Sequence, residues 1–367
     1  MLLGFLAGCA VSTAYLDGSF SIESDRINRG VAPLTEKTGY FNIKEAPLLG
    51  AGWDAGLDAG LDTSPSNDSG REATHGLITN VEVSTVEELI NAIAPDTCIT
   101  LRTGQYDVSA VYGYESPYIT WQDDYYGFNE KTLVICGVDR LTLQAAPGAE
   151  AEIITPWRFA EVLSFDNCND ISLIGIKAGH TVTGDYECDD GVVGFTECSD
   201  VLIANCYLYG CGTVGINLFN CTTGLIRDTI VTDCSRAALI IDESFDIRVE
   251  NCRLIDNRAY QYIVCIVDST VILSDCEISG NKGLWGGVIE VDNISNGNSE
   301  VLIVGCVIVD NVPDNSAEEE YIFTPVSDWS GTRKANPYIG VKDCVIELGQ
   351  FRDYWDGVTD LGGNVLN

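Results

Sequence analysis

The sequence predicts an all-β fold of one kind, a parallel β-helix solenoid with three short strands per coil. A repeat of about 23 residues runs from roughly Val138 to Cys344. Read in register, one column is Ile176, Cys206, Thr229, Cys252, Cys276, Cys306, and a second is Thr181, Cys211, Cys234, Asn257, Asn281, Asn311. Each period holds short β-branched runs, among them Val201-Leu202-Ile203, Ile247-Arg248-Val249 and Val271-Ile272-Leu273, separated by Asn, Asp, Gly and Cys. A helical solenoid needs longer amphipathic stretches with a helical period. Short strands that stack like residue over like residue give a solenoid of sheets instead.

The elements follow in chain order. Residues 1–12 contain Leu6-Ala7-Gly8-Cys9, which resembles the lipobox cleaved before a lipidated cysteine in bacterial lipoproteins. Neither a basic n-region nor a long apolar stretch precedes it, so either the true start lies upstream or the match is fortuitous. If the match holds, Cys9 carries the lipid, and the membrane is engaged only through that anchor. Residues 13–79 read as an acidic, low-complexity tether. The run Gly52-Trp53-Asp54-Ala55-Gly56-Leu57-Asp58-Ala59-Gly60-Leu61-Asp62 repeats Asp, Ala and Gly too densely to bury a core. Residues 80–367 form the solenoid domain. It opens on Val83-Ser84-Thr85-Val86-Glu87-Glu88-Leu89-Ile90, then Cys98-Ile99-Thr100-Leu101-Arg102-Thr103-Gly104-Gln105-Tyr106.

That entry and the repeat together resemble right-handed parallel β-helix proteins, the superfamily of pectate lyases, polygalacturonases and alginate epimerases. The resemblance implies a right-handed coil, an N-terminal capping helix and a Gly-Xaa-Tyr turn after the first strand. Taken with the lipobox-like Cys9 segment, it reads as an exported protein of the bacterial cell surface, outer membrane or extracellular space that engages polysaccharide. It does not choose among lyase, hydrolase, non-catalytic glycan-binding or adhesin module, and structural protein-interaction solenoid, because one fold hosts many functions.

Charge narrows the partners. Lys and Arg number 20 against 55 Asp and Glu, a formal net charge of −35. Such a chain repels nucleic acid and anionic lipid. It suits calcium, whose preferred ligands are carboxylates.

Strand alternation sorts the side chains. The columns Ile171/Val201/Gly224/Ile247/Val271/Val301 and Leu173/Ile203/Ile226/Val249/Leu273/Ile303 should fill the core. The column between them faces out yet reads Ser172, Leu202, Leu225, Arg248, Ile272, Leu302. An apolar outer stripe through Leu202, Leu225, Ile272 and Leu302 calls for a cover: the N-terminal segment, a long loop or a protein partner. Most of the 15 cysteines fall in stacking columns, where a free thiol packs as a small hydrophobe. Cys188 lies outside those columns, and Cys188 with Cys211 is the one disulfide expected.

Within one coil the expected strands are Val192–Phe195, Asp200–Ala204 and Cys206–Tyr209. The turn before them is lengthened to residues 180–191, and extra length in a repeat marks a binding face. In related lyases and hydrolases the groove runs along this turn and the next strand, as the resemblance implies. The loop gathers His180, Asp185, Glu187, Asp189 and Asp190, with Thr213, Arg236 and then Tyr260 in the column of Asp190. Gly194, Asn217, Gly215 and Ala238 are read as small outward neighbours that leave a shallow trough. In β-helix lyases calcium acidifies the proton beside a uronate and a basic side chain removes it. Carried here, His180 or Arg236 is the candidate base and Asp189 and Asp190 are the catalytic carboxylates and calcium ligands. The bland alternatives are a surface histidine at a water-facing turn position and an ordinary Asp-Asp-Gly turn. Tyr209, Tyr260 and Tyr262, with Trp121 and Tyr125 from the aromatic segment between Tyr112 and Phe128, are candidate sugar-stacking rings. That segment serves equally as the cap of the open N-terminal end.

Overall fold

The structure, a computed structural model, describes residues 77–124, 127–182, 190–210, 214–260, 262–284, 287–293, 299–314, 321–325, 337–351, 353–355 and 358–367. Cys9, the expected tether up to residue 76, Tyr125, Asp185, Glu187, Cys188, Asp189, Cys211 and Thr213 lie outside these residues.

Three sheets of parallel strands wrap one core. One coil shows the pattern: Val193–Thr196 in the first sheet, Ser199–Ala204 in the second, Tyr207–Tyr209 in the third. Each strand pairs in parallel with its counterparts one coil before and one coil after, as Val201 does with Ile171 and Gly224. Among the described residues the sheets hold ten, eleven and ten strands. The expected core columns are in register and buried, from Ile171 through Val201, Ile247 and Val271 to Val301. In the outward column between them Leu202, Leu225 and Leu302 are half-buried, and Ile272 keeps 38% of its surface.

Each coil turns its corners by one device. At the corner between the second and third sheets, Gly175, Asn205, Asp228, Asn251, Asp275, Gly305 and Asp343 stack with φ between 50° and 66°. That left-handed conformation favours Gly, Asn and Asp, which is why these residues recur there. The next residue turns its side chain inward and builds a ladder. At the third corner Cys234 N donates to Asn257 Oδ1 at 3.0 Å, Asn257 N to Asn281 Oδ1 at 2.9 Å, and Asn281 N to Asn311 Oδ1 at 3.3 Å. Each Asn amide then donates back to the preceding coil, Asn257 to Val231 O and Asn281 to Leu254 O. At the first corner Cys221 N donates to Ser244 Oγ and Ser244 N to Ser269 Oγ, each at 2.9 Å. The described cysteines are all free thiols, and all but Cys98 and Cys136 are buried.

The N-terminal end is closed twice. The helix Val86–Ala92 buries Val86, Leu89 and Ile90, and Thr85 caps it by accepting from Glu88 N at 3.2 Å. The aromatic insertion folds back as Ile119–Asp123, the single antiparallel strand pairing among the described residues, against Lys131–Cys136 at the end of the first sheet. Tyr114, Tyr118 and Trp121 pack on the core, so the insertion does seal the end.

Candidate functional site

The third corner opens twice in succession, after Ala151–Thr155 and after Lys177–His180. The earlier opening is the turn Thr155-Pro156-Trp157-Arg158-Phe159-Ala160-Glu161. Its backbone is pinned to the coil before it. Phe159 N donates to Glu130 Oε2 at 2.6 Å and Glu161 N to Thr132 Oγ1 at 3.0 Å. So held, the turn presents Trp157 and Phe159 beside the aromatic insertion. Phe128 stacks on Phe159 with centroids 4.3 Å apart, and Tyr112 meets Trp121 and Trp157 edge-on at 5.3 and 5.9 Å. Phe128 and Tyr112 keep 63% and 54% of their surface, so two rings of the cap face solvent.

Glu161 ends the turn and lies over the first sheet. A Cβ on Gly194 would sit 2.5 Å from both of its carboxyl oxygens, and one on Gly191 3.0 Å from Oε1. Two glycines therefore make the seat of this carboxyl. Asp190 comes from the next opening, its Oδ1 accepting from Gly191 N at 2.9 Å. Burial pushes Glu161 up to about 8, with the negative charge of Asp190 adding to it and a hydrogen bond with Ser164 opposing. Glu161 thus holds its proton more tightly than an ordinary carboxyl, beside a second one. Two carboxyls whose environments separate their proton affinities can divide acid and base roles.

Several expectations need correction. The repeat register puts His180 at a water-facing turn position, with a role as base. In the structure the strand Lys177–His180 runs one residue further than expected, and His180 pairs with Thr155. Alternation then turns its ring inward, where it is 3% exposed with Nε2 2.8 Å from Ala160 O. Burial lowers its proton affinity, and the ring is not open to a substrate. Gly215 and Ala238 also point inward. A Cβ on Gly215 would lie 2.3 Å from Val231 Cγ1, and Ala238 belongs to the core. Gly194 and Asn217 are in register on the outward face as expected. Tyr260 N donates to Ser235 O at 3.1 Å, which sets Tyr260 beside the Ser235–Arg236 backbone. Tyr262 is 2% exposed and presents no ring, whereas Tyr260 is 37% exposed.

The remaining candidates are dispersed. Tyr209 lies on the third sheet, its hydroxyl donating to Glu152 Oε1 at 2.8 Å and its ring covering Gly179. Trp121 is part of the cap, its Nε1 donating to Tyr114 O at 3.1 Å. Arg236 precedes Ala237, which pairs with Val214, so it stands two coils from Asp190, about 10 Å by coil spacing. It is half-buried and engaged. Among the described residues no group of three or more His, Cys, Asp or Glu is placed to hold a metal ion, and Asp189, one of the two expected calcium ligands, lies outside them.

Sequence reading missed Glu161, Trp157 and Phe159. The available signal was the register itself, which sets Leu163 opposite Val193 and hence Glu161 opposite Gly191, with the small Gly194 alongside.

A family model described as "Right handed beta helix region" matches residues 166–308. The described strands, from Thr79 to Leu366, wind as a right-handed parallel β-helix. Solved structures similar to this β-helix include the pectate lyase Pel9A, at 11% identity and TM-score 0.46, with 79% of this chain and 80% of that one covered. A rhamnogalacturonan lyase matches at 8% identity and TM-score 0.47, covering 73% and 74%. The Streptococcus pneumoniae surface protein and adhesin PfbA matches at 9% identity and TM-score 0.40, covering 78% and 89%. No curated protein matches this chain. No helix among the described residues is long and apolar enough to cross a membrane.

Proposed function

We propose that this β-helix engages polysaccharide at the opened third corner and cleaves it there as a glycoside hydrolase. The observation that carries the reading is the Glu161 carboxyl seated against Gly191 and Gly194, its proton affinity raised by burial and by Asp190, on the turn that sets Phe159 against the exposed ring of Phe128. Aromatic faces take sugar rings by apolar contact, leaving the hydroxyls free for polar partners. Glu161 supplies its proton to the glycosidic oxygen as the bond to the anomeric carbon breaks. Asp190 removes a proton from the water that adds to that carbon. A lyase is the weaker reading, because the candidate base His180 is enclosed and its Nε2 is committed to Ala160 O. An exported, surface-held protein suits this role, with Cys9 the residue that would carry the lipid.

The test is a panel of neutral, acidic and amino-sugar polysaccharides, read by reducing ends and by absorbance at about 235 nm, the region where an unsaturated uronate absorbs. Hydrolysis gives reducing ends without absorbance, and Glu161→Gln and Asp190→Asn should each lower the rate by about 100-fold or more. Absorbance would replace this reading with a lyase. Binding without products, weakened by Tyr112→Ala and Phe128→Ala, would reduce it to a glycan-binding module.

A further inference from the structure

Glu161 and Phe159 flank Ala160, and the Ala160 carbonyl is held by a side chain from the next coil. That side chain is His180, whose Nε2 lies 2.8 Å away. A carbonyl only accepts, so Nε2 carries the hydrogen and Nδ1 is left with its lone pair. Nδ1 is buried and has no hydrogen-bond partner among the described residues. An imidazole in this setting can donate only once, to one backbone atom. A second proton would have to go on Nδ1, where no described residue accepts it, and burial lowers the ring's proton affinity.

We propose that His180 is the positioning residue of this site: its Nε2–H fixes the Ala160 carbonyl, and through it the seat of Glu161 and the ring of Phe159. The inference rests on the reading of Glu161 as the site's acid. The turn from Thr155 to Glu161 has two anchors on the preceding coil, through Glu130 and Thr132, and both bind its N–H groups. His180 is a carbonyl-side anchor from the following coil. Without it the turn can lift away from Gly191 and Gly194, water reaches the Glu161 carboxyl, and the stacked Phe159 moves with it. His180 thus acts through Ala160 and touches no substrate.

Three variants separate this role from simple packing. His180→Gln sets an amide N–H near the position of Nε2, His180→Asn sets one too short to reach Ala160, and His180→Leu fills the space without a donor. The first readout is the titration midpoint of Glu161, followed by NMR on protein labelled with carboxyl-13C glutamate and assigned by the signal missing in Glu161→Gln. The second is affinity for the polysaccharide bound most tightly in the panel. His180→Leu and His180→Asn should lower the Glu161 midpoint by about one unit or more and weaken binding about tenfold, while His180→Gln keeps both near wild type. An unchanged midpoint in the Leu variant, or a Gln variant as impaired as Leu, overturns the proposal. Should the Leu variant not fold, the contrast between Gln and Asn decides by the same criteria. A wild type that binds no polysaccharide defeats the proposed function instead, and the Glu161 midpoint still judges His180 alone.

Discussion

At the residue scale, the site depends on a carboxyl whose proton affinity is set by where it lies. Glu161 is raised to about 8 in the folded chain, against about 4.3 for an ordinary glutamate. A raised acid binds its proton more tightly folded than unfolded, so its contribution to stability is fully present below about pH 4.3 and is lost as pH rises toward 8. Glu161→Gln removes that slope. Urea midpoints at pH 5 and pH 9 should show the variant gaining at least about 1 kcal/mol on wild type between the two. An equal difference at both pH values would mean that Glu161 is ionised throughout. His180 works in the opposite direction. Its lowered affinity gives stability present above about pH 6.5 and lost as pH falls through the folded value.

At the element scale, the corners hold the coils in register. Asn257 accepts from Cys234 N, donates to Val231 O and Ile255 O, and meets Asn281 Oδ1 at 3.0 Å, all without exposure. Truncation strands buried backbone groups that no water can reach. Asn257→Ala should cost about 2–4 kcal/mol in a denaturation curve. Asn257→Cys should cost less, because Cys234 occupies the same column one coil earlier. A variant as stable as wild type would show that the ladder follows from the sheets and does not support them. These corners were legible in the sequence, since a left-handed residue followed by a small inward polar one recurs at every coil. The inward turn of His180 was not legible. Its column is Gly210, Asp233, Asp256, Gly280 and Asp310, all with positive φ, and nothing local announces that the strand runs through it.

For the whole molecule, charge opposes compaction. A net charge of −35 repels itself, and the described ion pairs are mostly exposed, such as Arg102 with Glu82 at 2.6 Å and Arg253 with Glu277 at 2.7 Å. Exposed pairs contribute little, so screening should relieve more repulsion than it removes attraction. Raising the salt from about 10 mM to about 200 mM shortens the Debye length several-fold and should raise Tm. A fall in Tm would assign the ion pairs a larger role than their exposure suggests.

The sequence by itself determined the coil. Period, inward columns, corner residues and the strands of a coil to within a residue or two all follow from chemistry that repeats, and a repeated local preference is read many times over. The tertiary structure alone decided the site. Glu161 matters because Gly191 and Gly194, one coil on, leave room for its carboxyl and Asp190 supplies the neighbouring charge. His180 turned from candidate base to enclosed donor because a single added strand residue reverses which face a side chain takes. Periodic positions are set by local propensity. A site that occurs once is set by which side chains the winding of the coils brings together.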